Sequence, residues 1–348
     1  AAVAASVSLG VSLAGGGASA DATVLTTTKA FVETSTLTLS TDLVVNANDV
    51  STATAQVTVE SSSVGLIAAA ASGSVVSATL TPTVQAYVSG STVTARDVAI
   101  TATAQPKAEV TANGLTVSTG VSVGVSRADV TLSPVVTATA GGTFTANSLS
   151  VSAAHRLPSS GDSANAFAGA STGGLLIGVS ATLANATNNA QVRATISNSS
   201  NLNITNDVSV SANNNSAQNA EASASAGGIL AAGVAASRSS SNTVTTASLG
   251  TGVTVTASNL TVGASGRDTN LATTSAGSGG VLAGASAKVS TSGTSTTLAS
   301  IGANSNINLT ARGTGFLLVS ADHTASLNTR IKSEAGGVLA GAGVTVDS

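Results

Sequence analysis

A short phrase recurs six times along this chain, and that recurrence restricts the possible folds more than any other feature. It runs turn residue, aliphatic, any residue, aliphatic, any residue, alanine. The copies are Asp42-Leu-Val-Val-Asn-Ala47, Asp97-Val-Ala-Ile-Thr-Ala102, Ser148-Leu-Ser-Val-Ser-Ala153, Asp207-Val-Ser-Val-Ser-Ala212, Asn259-Leu-Thr-Val-Gly-Ala264 and Phe316-Leu-Leu-Val-Ser-Ala321. Successive starts lie 55, 51, 59, 52 and 57 residues apart. A fixed period of this size marks a repeat architecture whose turns absorb small length changes.

A second phrase keeps step with the first. Gly227-Gly-Ile-Leu-Ala, Gly279-Gly-Val-Leu-Ala and Gly336-Gly-Val-Leu-Ala each begin 20 residues after their anchors, and Gly173-Gly-Leu-Leu-Ile begins 25 after Ser148. The excess falls at His155-Arg-Leu-Pro-Ser-Ser-Gly-Asp162, which reads as a protruding loop. Aliphatics alternating with Ser, Thr or Asn are the period-two pattern of a strand with one buried face. Val, Thr, Ser, Gly and Asn are weak helix formers, so the same pattern disfavours helix. The Ala- and Gly-rich second strands call either for sheets packed unusually close or for a strand buried on both sides.

One repeat cannot bury its own apolar face and must stack on its neighbours. The expectation is an all-β, repeat-built β-solenoid, a rod like a parallel β-helix, with about 55 residues per repeat and about six repeats. One wide coil per repeat is favoured over two narrower ones. The same Ala/Gly/Ser/Thr/Val/Asn mixture runs from end to end, so residues 1–348 read as a single continuous array. Leu43, Val98, Leu149, Val208, Leu260 and Leu317 should form one vertical core file, with like residues ~4.8 Å apart. Neither end carries a polar capping element, and Ala335–Val344 looks like a variant of Ala5–Leu13. The expected partner is therefore self, through continuation of the same chain or end-to-end stacking, which would pair exposed sheet edges.

Composition excludes several classes. The 348 residues hold no Cys, Met or Trp, one Tyr, four Phe and only 8% charged residues, with a net charge of −3. Abundant Val and Thr and few Pro argue against disorder. Twelve scattered Lys and Arg offer no footprint for nucleic acid. The apolar runs Val64–Ala71 and Gly227–Ala236 are shorter than the ~20 residues a membrane helix needs. Absence of Cys removes any disulfide or thiolate metal framework.

The Ala-Ser-Ala-Ser-Ala then Gly-Gly-aliphatic-Leu-Ala phrase, alternating with Val-Thr-Val-Thr-Ala-Ser-Asn-Leu-Thr-Val, is similar to the β-strand repeats of giant secreted bacterial surface proteins, the filamentous-haemagglutinin-like and leukotoxin-like adhesins. That resemblance implies export to the bacterial cell surface or beyond, display as a long fibre or filament, biofilm or matrix formation, and adhesion to host or matrix surfaces. No secretion or haemagglutination domain is visible, and the repeat is longer than the coils typical of filamentous haemagglutinin.

The residues offer little chemistry. His155 and His323 occupy the same slot three repeats apart, seven residues past their anchors, with Asp49, Asn214 and Gly266 in that slot elsewhere. About 14 Å would separate the two histidines, too far to share a metal whose His nitrogens lie ~2.0–2.1 Å from the ion. They read as turn residues. Asp42, Asp97 and Asp207 suit capping turns, and Ser148, Asn259 and Phe316 interrupt any calcium-binding column there. Arg96 with Asp97, Arg127 with Asp129 and Arg267 with Asp268 read as solvated charge pairs. No nucleophile elbow is present, and Gly277-Ser-Gly-Gly280 lacks the Lys-Ser/Thr of a phosphate loop.

No cofactor, metal or catalytic residue is expected. The expected function is a structural or adhesive extracellular rod, not an enzyme. The alternative is an ice- or polymer-binding solenoid that uses a stacked Thr-x-Thr face built from Thr36 and Thr38, Thr92 and Thr94, Thr143 and Thr145, and Thr254 and Thr256. Against this, Thr is a favoured exposed β residue anyway, and Leu202–Thr205 and Asn308–Thr310 break the array. A glycan-cleaving β-helix enzyme is a minor alternative, which lacks the carboxylate cluster such chemistry needs.

Overall fold

The computed structural model describes residues 2–8, 10–310 and 315–347. Leu9, inside the N-terminal Ala5–Leu13 phrase, lies outside them. Among the described residues the regular elements are all β-strands, and they form an all-β solenoid with parallel pairing throughout. One turn runs through Asp97–Ala104 and Lys107–Ser118 on a long face A, Val121–Leu132 on face B, and Val135–Ala146 on face C. The chain then returns to face A at Ser148–His155. Faces A, B and C carry ten, seven and ten strands. Each repeat therefore makes one coil.

Backbone pairing places the anchors in register. Leu43 lies beside Val98, Val98 beside Leu149, Leu149 beside Val208, Val208 beside Leu260, and Leu260 beside Leu317. The four middle members are fully buried, whereas Leu317 is 47% exposed because no described rung covers it. Alternation turns odd offsets from the anchor inward and even offsets outward; the inward positions are aliphatic at the first three and mixed polar and small beyond them.

Two cores lie side by side in the cross-section. The first half of face A packs against face C through larger side chains, among them Ile100, Phe144, Leu149, Leu202 and Leu249. Its second half packs against face B mainly through alanine, such as Ala112, Ala166, Ala168, Ala184 and Ala222. Small inward residues draw faces A and B together: a Cβ on Gly178 or Gly233 would stand 2.3 Å from the carbonyl oxygen of Gly227 or Gly277. Close sheet packing, not burial on both sides, explains the Ala-Gly strands, for their outward aliphatics remain exposed.

Corners are built from residues that cannot sit in a ladder. Pro82 and Pro134 occupy the corner between faces B and C in successive coils, where each still accepts a bond through its carbonyl from the next coil. A second corner divides face C, and each coil turns there on a left-handed residue: Thr34, Gly90, Gly142, Ser199, Gly252 or Asn304. Thr34 is the costly member, because a β-branched side chain crowds its backbone at φ 47°. The expected loop between His155 and Ala164 is present as an exposed, strand-free bulge, but His155 itself ends a strand.

Two outcomes are expected. Leu149→Ala opens a cavity in the middle of the buried file and lowers the free energy of unfolding by about 2–5 kcal/mol in a denaturant titration. Thr34→Gly relieves the left-handed strain and raises it by about 1 kcal/mol, less whatever the added unfolded-state freedom costs.

Candidate functional site

The threonines singled out in the sequence come together. Thr36 pairs with Thr92 and Thr38 with Thr94, and these pair in turn with Thr143 and Thr145. In the next coil Asn201 and Asn203 lie beside Thr143 and Thr145; Thr254 and Thr256 follow, then Asn306 and Asn308. Two outward files thus run along the short segment of face C, anchored by the inward Leu37, Val93, Phe144, Leu202, Val255 and Ile307 between them. Rungs are ~4.8 Å apart and the two files ~6.6 Å apart, by strand geometry. The threonine array is interrupted near both expected places, with Asn201 and Asn203 in its slots in the fourth coil and Asn306 and Asn308 in the sixth. Asparagine replaces threonine there without interrupting the polar surface.

Beside these files, on the long segment of face C, Phe31 and Tyr87 stack with ring centroids 5.2 Å apart and planes 9° from parallel. Hydrogen bonding to the Glu33 carboxylate raises the Tyr87 hydroxyl above its ordinary pKa. At the anchor turn Arg96 grips Asp42 in the coil below at 2.7 Å, closer than its 3.6 Å approach to its neighbour Asp97. The Arg96 hydrogen bond lowers the Asp42 pKa. Arg127 and Asp129 form the expected surface pair at 2.5 Å. Such exposed pairs contribute little stability.

Two readings of polar residues are corrected. His155 and His323 are not turn residues: they lie in strands, in the file Asp49, Ala104, His155, Asn214, Gly266 and His323. Seven is an odd offset from the anchor, the parity of the core, so this file points inward. Arg267 and Asp268 are not a solvated pair either, because Asp268 is 1% exposed and faces the interior. Its carboxylate accepts hydrogen bonds from Asn214 Nδ2 at 3.1 Å, Ser216 Oγ at 2.7 Å, Thr243 Oγ1 at 3.1 Å and Ser295 Oγ. His323 Nε2 stands 3.7 Å away. A buried carboxylate is tolerable when saturated with donors in this way.

His155 Nδ1 lies 2.7 Å from Asn214 Oδ1, which can only accept, so the proton sits on Nδ1 and the bare Nε2 is buried without a partner. Burial lowers the His155 pKa, against smaller upward effects of the Asn214 bond and the Asp268 charge. At 1% exposure His155 and Asp268 both lie inside the rod, where their hydrogen bonds join adjacent coils. Among the described residues no group of three or more His, Cys, Asp or Glu is placed to hold a metal ion, and no helix is long and apolar enough to cross a membrane.

A scan against protein-family models, a search of curated proteins and a search of solved structures each return no match. The functional reading therefore rests on the rod's own geometry.

Acid should loosen the coils around His155. Its folded pKa is below the ordinary 6.5, so the unfolded chain takes up the proton first. This contribution is complete above pH 6.5 and shrinks as the pH falls through the window beneath it. Thermal melts from pH 7.5 to 5 should show a falling midpoint, and His155→Gln should flatten that part of the profile.

Proposed function

We propose that the chain is a structural and adhesive rod acting outside the cell, at a bacterial surface or in a matrix around it. The reading is supported above all by the unbroken file Leu43, Val98, Leu149, Val208, Leu260 and Leu317. A chain that stacks in register repeats any outward chemistry every ~4.8 Å along a stiff axis. Weak contacts repeated in line add by multivalency, which suits adhesion to extended surfaces better than recognition of one small ligand. The role carries no catalytic step and no cofactor.

Polystyrene beads coated with the chain should be retained under flow on collagen-, mucin- or epithelial-cell-coated glass, more strongly as rungs are added. Retention no better than that of uncoated beads on all three surfaces would overturn the adhesive part of the reading. Short irregular particles instead of uniform rods in electron micrographs would overturn the structural part.

The paired files of Thr and Asn on face C favour a second reading, a face for ice or a crystalline polymer. Its signature is thermal hysteresis, or binding to crystalline cellulose, that disappears in a Thr94→Tyr, Thr145→Tyr variant of unchanged melting temperature. Hysteresis or binding that survives both substitutions would rule the face out.

A further inference from the structure

Face B carries an uncharged apolar surface along its whole length. Its outward files begin with Leu13, Ala69, Val121, Ile177, Leu230, Leu282 and Leu339, one from each of seven strands. The next outward file reads Val123, Val179, Ala232, Gly284 over the third to sixth strands, and the one after it Val125, Ala181, Val234, Ser286. Beside the first file, the turn entering face B adds Leu66, Leu176, Ile229, Val281 and Val338, of which Leu66 is 87% and Val338 81% exposed. The nearest charges, Arg127 and Lys288, stand one file beyond. Between Leu230, Leu282 and the small Ala232 and Gly284 lies a shallow apolar hollow of about 360 Å³. Isolated exposed aliphatics are ordinary, but a continuous uncharged stripe of them marks an interaction surface.

We propose that this face docks a second copy of the chain, laterally and antiparallel, through a two-fold axis running along the strands. Two observations select that occupant. The first is commensurability: another rod of the same rung spacing can cover a linear stripe file by file. The second is size complementarity. An axis that lays the third strand on the sixth and the fourth on the fifth sets Val123 over Gly284, Val179 over Ala232 and Val125 over Ser286 of the second copy, with Ala181 under its Val234. In each pair of these two files a valine meets a smaller residue, on an isologous surface where every contact occurs twice.

Six strands of each copy overlap in this arrangement, a footprint about 24 Å by 20 Å from strand geometry. Roughly 500 Å² per partner is more than typical lattice contacts bury and sits at the small end of specific interfaces, so the dimer is weak and concentration-dependent. Arg127 and Lys288 face one another at the rim, each already paired with Asp129 and Asp347. The inference needs the rod alone and stands whether or not the rod is adhesive.

Sedimentation and small-angle scattering of the full chain across a concentration series test it. A doubling of cross-section at constant length is expected; doubling of length would mean end-to-end stacking instead and would overturn the proposal, as would a monomer at every concentration. Gly284→Val decides between shaped packing and general stickiness. A Cβ at Gly284 meets nothing within 4 Å, so the variant should fold, yet it fills the hollow that receives Val123. Its dimer should weaken by about tenfold, equivalent to ~1.4 kcal/mol. Equal or tighter association of Gly284→Val, or a dimer that persists in Val123→Lys with an unchanged melting temperature, would overturn the proposal. Co-sedimentation with phosphatidylcholine vesicles that is lost in Val123→Lys, with no dimer in their absence, would reassign the face to lipid.

Discussion

Parallel backbone hydrogen bonding along the rod axis is the interaction on which everything else depends. Each strand between the first and last coils is paired on its flanks by the coil before and the coil after, so the main chain satisfies its own donors and acceptors without a large core. This is why a protein with no Trp and only four Phe can be ordered throughout its described length. Side chains then need only fill a narrow interior, and alanine, glycine and serine suffice where faces A and B meet. The register that pairs the backbones also stacks like residues, which converts a loose sequence repeat into continuous files of one chemistry.

Stacking constrains polar residues as firmly as apolar ones. A residue at a core offset has its neighbours above and below as its nearest partners, so a buried polar side chain must be answered from adjacent coils. Asp268 is answered from the coil below by Asn214, Ser216 and Thr243 and from the corner between faces B and C of its own coil by Ser295. His155 is answered by Asn214 on one nitrogen only. Such a network costs more when broken than it contributes when complete, because an abandoned buried group retains its full desolvation penalty. The polar interior gives the middle of the rod a specificity that its uniform alanine would not supply. It also places the buried His155, whose pKa burial lowers, in those coils.

Outside, the three faces differ in kind. Face C offers hydroxyl and amide files, face B an uncharged aliphatic stripe bordered by charges, and face A a mixed polar surface with scattered charges. A rod of this type can bind different partners around its circumference at the same axial position. Its surface functions are then additive along the length and separable around it.

The period, the strand character and the identity of the core file were all legible in the sequence, because repetition at a fixed interval and alternation of period two are consequences of local geometry alone. Even the shared slot of His155, Asn214 and His323 could be read from spacing, and its odd offset carried the signal that it points inward. What spacing could not supply was the opposite wall. Asp268, at offset nine, shares the inward parity, but that the hydroxyls of Thr243 and Ser295 answer it depends on where the corner between faces B and C lies against face A over a whole coil. The place of Asn201 and Asn203 within the threonine files likewise followed from backbone pairing across a corner of variable length. Local periodicity thus determined the rod, whereas tertiary closure of each coil decided which faces meet inside it and which aliphatics remain outside.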